Sequence, residues 1–329
     1  MTSTLDLAIR EIFGVFPFLQ DDDLASCLDA RRKSHIAGLL EHQVTQDADG
    51  DATSQCLNML GDMTSEEIHN LLRSPALCEI LRTRQGMQSL HDLLRKELDP
   101  SAAPLSMLDC GIAIDESLPD FLSNPGSGLV RPRALTSNEH IQTLDSLNRA
   151  SDLFRSQSEL GYSLYSTLTT NIVLRVDDMR LGEVWGASSA MAIGRLVIVN
   201  GHNSKSDYLL TDILLHETVH NTLSCIDLME PLAGFDRSLL QLRFNSPWSG
   251  NPLHIHAFLH ATVVWSLLSV LWKSVKQDHA CESLAIDRIE YISKGFSSNE
   301  FDSAIGSIQD ALPAATSSLL FTAKEIAMA

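Results

Sequence analysis

Cysteine is scarce and scattered in this 329-residue chain, with single residues at 27, 56, 78, 110, 225 and 281 and no CxxC pair. That spacing excludes a dense disulfide framework and predicts reduced core thiols in a cytoplasmic protein. Positive charge is also short: 24 Lys and Arg stand against 42 Asp and Glu, a formal net charge of −18. Such a surface repels phosphate backbones, so a nucleic-acid partner is not expected and a neutral or basic peptide is the more natural one. The opening stretch MTSTLDLAIREIFGVF lacks the basic start and apolar run of a secretory signal. Uninterrupted apolar runs of about 18 residues are missing, so no membrane span is expected. The longest candidate, AFLHATVVWSLLSVLW, contains a His and reads as a buried helix.

The remaining composition is that of a globular protein with ample core material, 44% hydrophobic and 20% charged. The first hundred residues carry apolar side chains at helical spacing, as in LASCLDARRKSHIAGLLEHQV. TSEEIHNLLRSPALCEILRTRQGMQSLHDLLRKEL continues the pattern, with Thr64 and Ser65 placed to cap its start. The polar link QDADGDATS alternates Asp47, Asp49 and Asp51. Asn58 and Ala52 stand where a calcium loop needs its Glu and its Gly, so calcium is not expected. Residues 98–135, rich in Pro, Gly and Ser, mark a boundary or long connection. SNEHIQTLDSLNRASDLFRSQSELGYSLYSTL is helical again. Two β-branched runs, NIVLRV and GRLVIVNG, read as strands separated by a Gly- and Ser-containing loop. A helix from near Asp207, its candidate cap, to about Met229 follows. SPWSGNP is a turn, a long apolar helix runs from about Leu253 to Lys276, and one or two helices close the chain. The expected fold is mainly α with a small β element: a helical amino-terminal region, 1–135, and a domain, 136–329, in which one helix packs on the long apolar helix.

That first helix holds the chemistry. TDILLHETVHNTL contains His-Glu-x-x-His, and His216 and His220, four apart, share a helix face and can share one metal ion. Ile213, Leu214, Leu215, Val219 and Leu223 make the helix a buried one, where Glu217 and two imidazoles need a reason to be. A third ligand is required. Leu223 and Ile226 occupy the positions of the metzincin Gly and third His, which excludes that class. Glu230 lies ten residues past His220, about 15 Å along a straight helix, too far for the same ion. NPLHIHAFLHATVVW supplies His254, His256 and His260. His260 lies deepest in the apolar stretch and is the expected third ligand, with His256 as a ligand, a neighbour of one or a substrate contact.

Two chemistries fit. Zinc would lower the pKa of its water, with Glu217 as general base of a peptidase. The run RLVIVNG would then offer a strand edge to the substrate, and His202, Tyr208 or a spare His would face the oxyanion. A three-ligand face with open positions equally suits Fe(II) with a 2-oxo acid and dioxygen. Arg243 and Arg195 are the candidates for holding the far carboxylate of 2-oxoglutarate. A third reading is a non-catalytic peptide-binding protein with a structural metal.

The segments GASSAMAIGRLVIV, TDILLHETVHNTL, FNSPW and HAFLHATVVW, in this order, resemble the HExxH-motif peptide-modification proteins encoded beside ribosomally made natural-product precursors in bacteria. The resemblance covers roughly residues 160–275. It implies an Fe(II)- and 2-oxoglutarate-dependent oxygenase that hydroxylates a side-chain β-carbon of a precursor peptide. By the motif, His216, His220 and His260 carry over as the iron ligands, and Glu217 becomes an orienting residue rather than a base. Members often carry an Arg between SPW and the third His. SPWSGNPLHIHAFLH has none, which leaves the 2-oxoglutarate contact unassigned.

Overall fold

A computed structural model describes residues 2–19, 23–46, 51–83, 85–97, 106–114, 133–278 and 281–329. Most of the Pro/Gly/Ser-rich connection and the acidic link at 47–50 lie outside the described residues. The fold is mainly α with a small β element. Among the described residues, six α-helices come first: α1 (Thr4–Phe13), α2 (Leu24–Gln46), α3 (Asp51–Asp62), α4 (Ser65–Arg73), α5 (Pro75–Thr83) and α6 (Met87–Glu97). Strands β1 (Ser106–Met107) and β2 (Ala113–Ile114) precede α7 (Ser137–Gln157) and α8 (Glu159–Leu168). Then come β3 (Asn171–Arg175), β4 (Trp185–Ser188), β5 (Arg195–Val199), α9 (Asp207–Met229) and α10 (Arg237–Gln241). A hairpin of β6 (Arg243–Asn245) and β7 (Pro252–His254) leads into α11 (Ile255–Val275), and α12 (Glu282–Phe296), α13 (Asn299–Ile308) and α14 (Ala314–Met328) follow.

Local chemistry explains the breaks that periodicity alone misses. The expected long helix after Thr64 is three helices: Thr64 closes a capping box with Glu67, Pro75 starts α5, and Gly86, at φ +86°, precedes α6. The helix expected from Ser137 to Leu168 breaks at Ser158. Its hydroxyl accepts from the Gly161 amide and donates to the buried Asp6 carboxylate, tying α1 to α8. Ser206, not Asp207, caps α9, accepting from the Tyr208 amide. Three helices rather than one or two close the chain.

The five-stranded sheet has the order β1-β2-β3-β5-β4. β3 and β5 are parallel and buried, as two short runs of Ile, Val and Leu should be. The loop expected between them contains β4, which returns antiparallel to β5. RLVIV is therefore an interior strand, and the edge assigned to it belongs to β4. Asn200 fixes the approach to β4. It sits at φ +58°, a conformation Asn tolerates, and its amide donates to the carbonyls of Asp177, Arg180 and Glu183.

α9 and α11 are apolar nearly all round because protein surrounds them. α9 packs against α2, α7, α8, β4 and α11, and α11 against α1, α12 and α14. α11 is long and apolar enough to cross a membrane by composition, yet here it is a core helix. One apolar core runs from Leu5 to Ala327, across the composition break near residue 135. All six cysteines are free, with Cys56, Cys78 and Cys225 buried in that core.

Candidate functional site

Ser206 starts α9, and from there the 3.6-residue repeat carries Asp212, His216 and His220 up the helix at intervals of four. α11 delivers His260 from the facing side. Its start is fixed by His254, whose Nδ1 accepts from the Ala257 amide. The SPW turn braces α11 against α12 and α13. Trp248 packs on Trp265, Phe296 and Phe301 and donates from Nε1 to the Ile292 carbonyl at 3.2 Å. Trp265 in turn meets the His216 ring edge-on at 6.0 Å. Gly295 is required here, since a Cβ would collide with the Trp248 ring.

The structure brings the three predicted imidazoles together. Nε2 of His216 lies 3.2 Å from Nε2 of His220, and Nδ1 of His220 lies 3.0 Å from Nδ1 of His260. Burial pulls all three imidazoles toward the neutral form, His220 to a pKa of about 4 and the other two well below the usual range. The neighbouring His220 and the Arg288 cation add to the effect at His216; His220, His256 and His254 do so at His260. Neutral imidazoles each offer one N–H and one lone pair, so the three can form a hydrogen-bonded relay through His220.

Neutral imidazole is also the metal-binding form. The 3.2 Å between the His216 and His220 Nε2 atoms fits two donors on one ion, for which bonds of about 2.1 Å imply about 3.0–3.4 Å. Among the described residues, however, no group of three His, Cys, Asp or Glu side chains is arranged to hold a metal as it stands. The cause is visible at His220, which meets its two neighbours with opposite nitrogens. All three would meet one ion only after a ring turns. The donor set therefore fits a metal in type and proximity, with His216 and His220 already at ligand spacing.

Glu217 is buried, and its carboxylate accepts from the Ser188 hydroxyl of β4 at 2.6 Å. Burial raises its pKa to about 7, the Asp212 charge adds to the rise, and the Ser188 bond opposes it. Asp212, one turn before His216, accepts from Nε1 of Trp272 at 2.5 Å and lies 3.8 Å from the Arg288 guanidinium. Burial raises its pKa despite both partners.

A cavity of about 430 Å³ opens beside the cluster, lined by His220, His260, Ser188, Ser224, Asp227 and Arg82, with His254 and His256 among the rest. His256 stands 3.6 Å from Asp227 and so faces the cavity as a neighbour of the cluster. The cavity's arginine is Arg82, anchored by donating to the Ala190 carbonyl at 2.7 Å. Arg195 lies elsewhere, 1% exposed on β5 and paired with Glu79 at 3.0 Å. Arg243 is exposed on β6 opposite His254, whose imidazole is held below its ordinary pKa by burial first, then by His256 and the Arg243 charge. His202 and Tyr208 do not line the cavity: His202 faces Glu139, and Tyr208 donates to Asp278. Glu230 ends α9 as its C-cap.

Sequence reasoning missed Arg82 and Ser188. Ser188 lies inside GASSAM, but no spacing rule connects it to a glutamate 29 residues on. Arg82 carries no local signal at all, because only tertiary packing brings α5 to this cavity. No protein-family profile matches the chain, and no curated protein matches it.

Proposed function

We propose that this chain is an Fe(II)- and 2-oxoglutarate-dependent oxygenase that hydroxylates a side-chain β-carbon in a ribosomally made precursor peptide. His216, His220 and His260 would hold the iron. Bound there, iron with 2-oxoglutarate and dioxygen would supply the oxidising power for C–H hydroxylation, with succinate and carbon dioxide as by-products. Arg82, in the cavity wall, would bind the far carboxylate of the oxo acid, a task suited to a guanidinium.

The observation that carries this reading is the position of Glu217. Its carboxylate is tied to Ser188, while His220 and His260 face the cavity. A carboxylate so held acts as a positioning group rather than a mobile base. The rival zinc peptidase draws on one observation, that the Glu217 carboxyl titrates at about 7, near the optimum for a general base.

Anaerobic loading with Fe(II), followed by 2-oxoglutarate, ascorbate and oxygen, tests the proposal. Succinate should form without any peptide and more rapidly with a substrate peptide, which gains the mass of one oxygen atom. Peptide cleavage by the zinc form, with no succinate from the iron form, would assign the chain to the peptidases. Glu217→Gln should retain much of the succinate formation. Loss of about 10²–10⁴-fold, the usual cost of deleting a general base, would point the other way.

A further inference from the structure

We infer that the free edge of β4 is a docking strand for an extended peptide, which it delivers to the cavity beside the histidine cluster. The identity of what is delivered rests on the peptide-oxygenase reading; the docking itself does not.

Among the described residues, β4 has one strand neighbour, β5, in the register Trp185↔Val199 to Ser188↔Leu196. In an antiparallel pair, alternate residues turn their N–H and C=O groups away from the partner. β4 therefore presents unmatched backbone groups along its outer side, the template that strand addition uses. Edges of this kind are usually blunted by charge, proline or a covering element. WGAS has neither charge nor proline. The chain on either side of it, alongside the exposed charges of Asp178, Arg180 and Glu183, exposes apolar side chains: Met179 at 74%, Leu181 at 44% and Met191 at 37%. Methionine is suited to packing against varied partners because its side chain is flexible and polarisable.

The strand also points at the chemistry. Trp185 and Ala187 pack on Val173, Val197 and Val199 on one face of the sheet. Gly186 and Ser188, alternating with them, face α9 on the other: a Cβ on Gly186 would meet Ile213 and Glu217, and Ser188 bonds Glu217. Ser188 and Ala190 then form part of the cavity wall. A peptide laid along β4 carries every second side chain on the α9 face, and the residue level with Ser188 enters the cavity. The Arg82 bond to the Ala190 carbonyl holds the end of this track. The net charge of −18 favours a neutral or basic peptide, and the exposed Met179, Leu181 and Met191 favour apolar side chains on it.

The test uses the full chain without metal. A display library of random twelve-residue peptides is selected against it, and the enriched peptides are synthesised. Hydrogen exchange at the amides of 185–188 is then compared with and without each peptide. The expected result is slowed exchange at β4, with N-methylation of the peptide backbone weakening binding by roughly tenfold at every second position, where a hydrogen bond is lost. No enrichment, enriched peptides that leave β4 exchange unchanged, or N-methyl sensitivity without a period of two would each overturn the inference. Because no metal is present, these outcomes are separable from those of the oxygenase assay. Period-two binding with no succinate formation supports the docking strand and removes the oxygenase; oxidation of a peptide that leaves β4 unprotected does the reverse.

Discussion

Gly186→Ala puts one methyl group between β4 and the motif helix. The new Cβ would lie 2.5 Å from Cγ2 of Ile213 and 3.2 Å from both Cγ and Oε1 of Glu217. Neither neighbour yields easily. Ile213 is β-branched on a helix and holds one strongly preferred χ1 rotamer, and Glu217 is pinned by Ser188. Relief therefore requires β4 to lift from α9, which strains its pairing with β5. Overpacking of a tight contact costs about 1–3 kcal/mol, which corresponds to a fall in melting temperature on the order of 2–6 °C. Gly182→Ala is the matched control: nothing lies within 4 Å of its Cβ, and its φ is not positive. It should change stability by less than about 0.5 kcal/mol. Thermal and urea melts of both variants measure the difference. Equal stability of the two would refute the claim that β4 is seated on the motif helix, and with it the account of how Glu217 is held.

Three further outcomes are expected. Trp272→Phe removes the donor to Asp212, leaving a buried carboxylate short of a partner at a cost of about 1–3 kcal/mol. Burial already raises the Asp212 pKa, so the folded state holds that proton more tightly than the unfolded state does. Stability from this group therefore falls as pH rises through the window above about 3.9. The variant deepens that fall, and a melt deficit no larger at pH 7 than at pH 4 would contradict the assignment. Arg133 bonds Glu139 and Asp178 and, with Thr136, holds the Glu139 carboxyl well below the carboxylate range. That contribution is present above the unfolded value of about 4.3 and lost as pH falls. Arg133→Ala should flatten the acid limb of the melting profile, and an unchanged limb would count against the pairing. His260→Ala should weaken Fe(II) binding, read by equilibrium dialysis, by more than the roughly 10–100-fold typical of losing a group behind a ligand. An unaltered affinity would remove His260 from the ligand set.

Much of the frame was legible from local rules. His216 and His220 share a face because any helix places positions four apart together, and the flanking Ile, Leu and Val mark that helix as buried. His260 stood out because an imidazole deep in FLHATVVW needs a partner. The strands at 171–175 and 195–199 followed from their β-branched composition. β4 was missed because WGAS has little strand propensity of its own; it is held by its ladder to β5 and by Asn200 bonding the turn before it. The helix breaks at Ser158 and Gly86 were hidden within a continuing apolar period.

By itself, the sequence determined that His216 and His220 share one face of a buried helix and that His260 lies on a second, apolar one, because periodicity and hydrophobic patterning act locally. Only the tertiary structure decided that Ser188 takes the Glu217 carboxylate, that Arg82 rather than Arg195 or Arg243 lines the cavity, and that β4 is the sheet's edge. Those contacts join residues from 8 positions apart, Ser188 and Leu196, to 108, Arg82 and Ala190. They depend on how helices and strands pack, which no short-range pattern encodes.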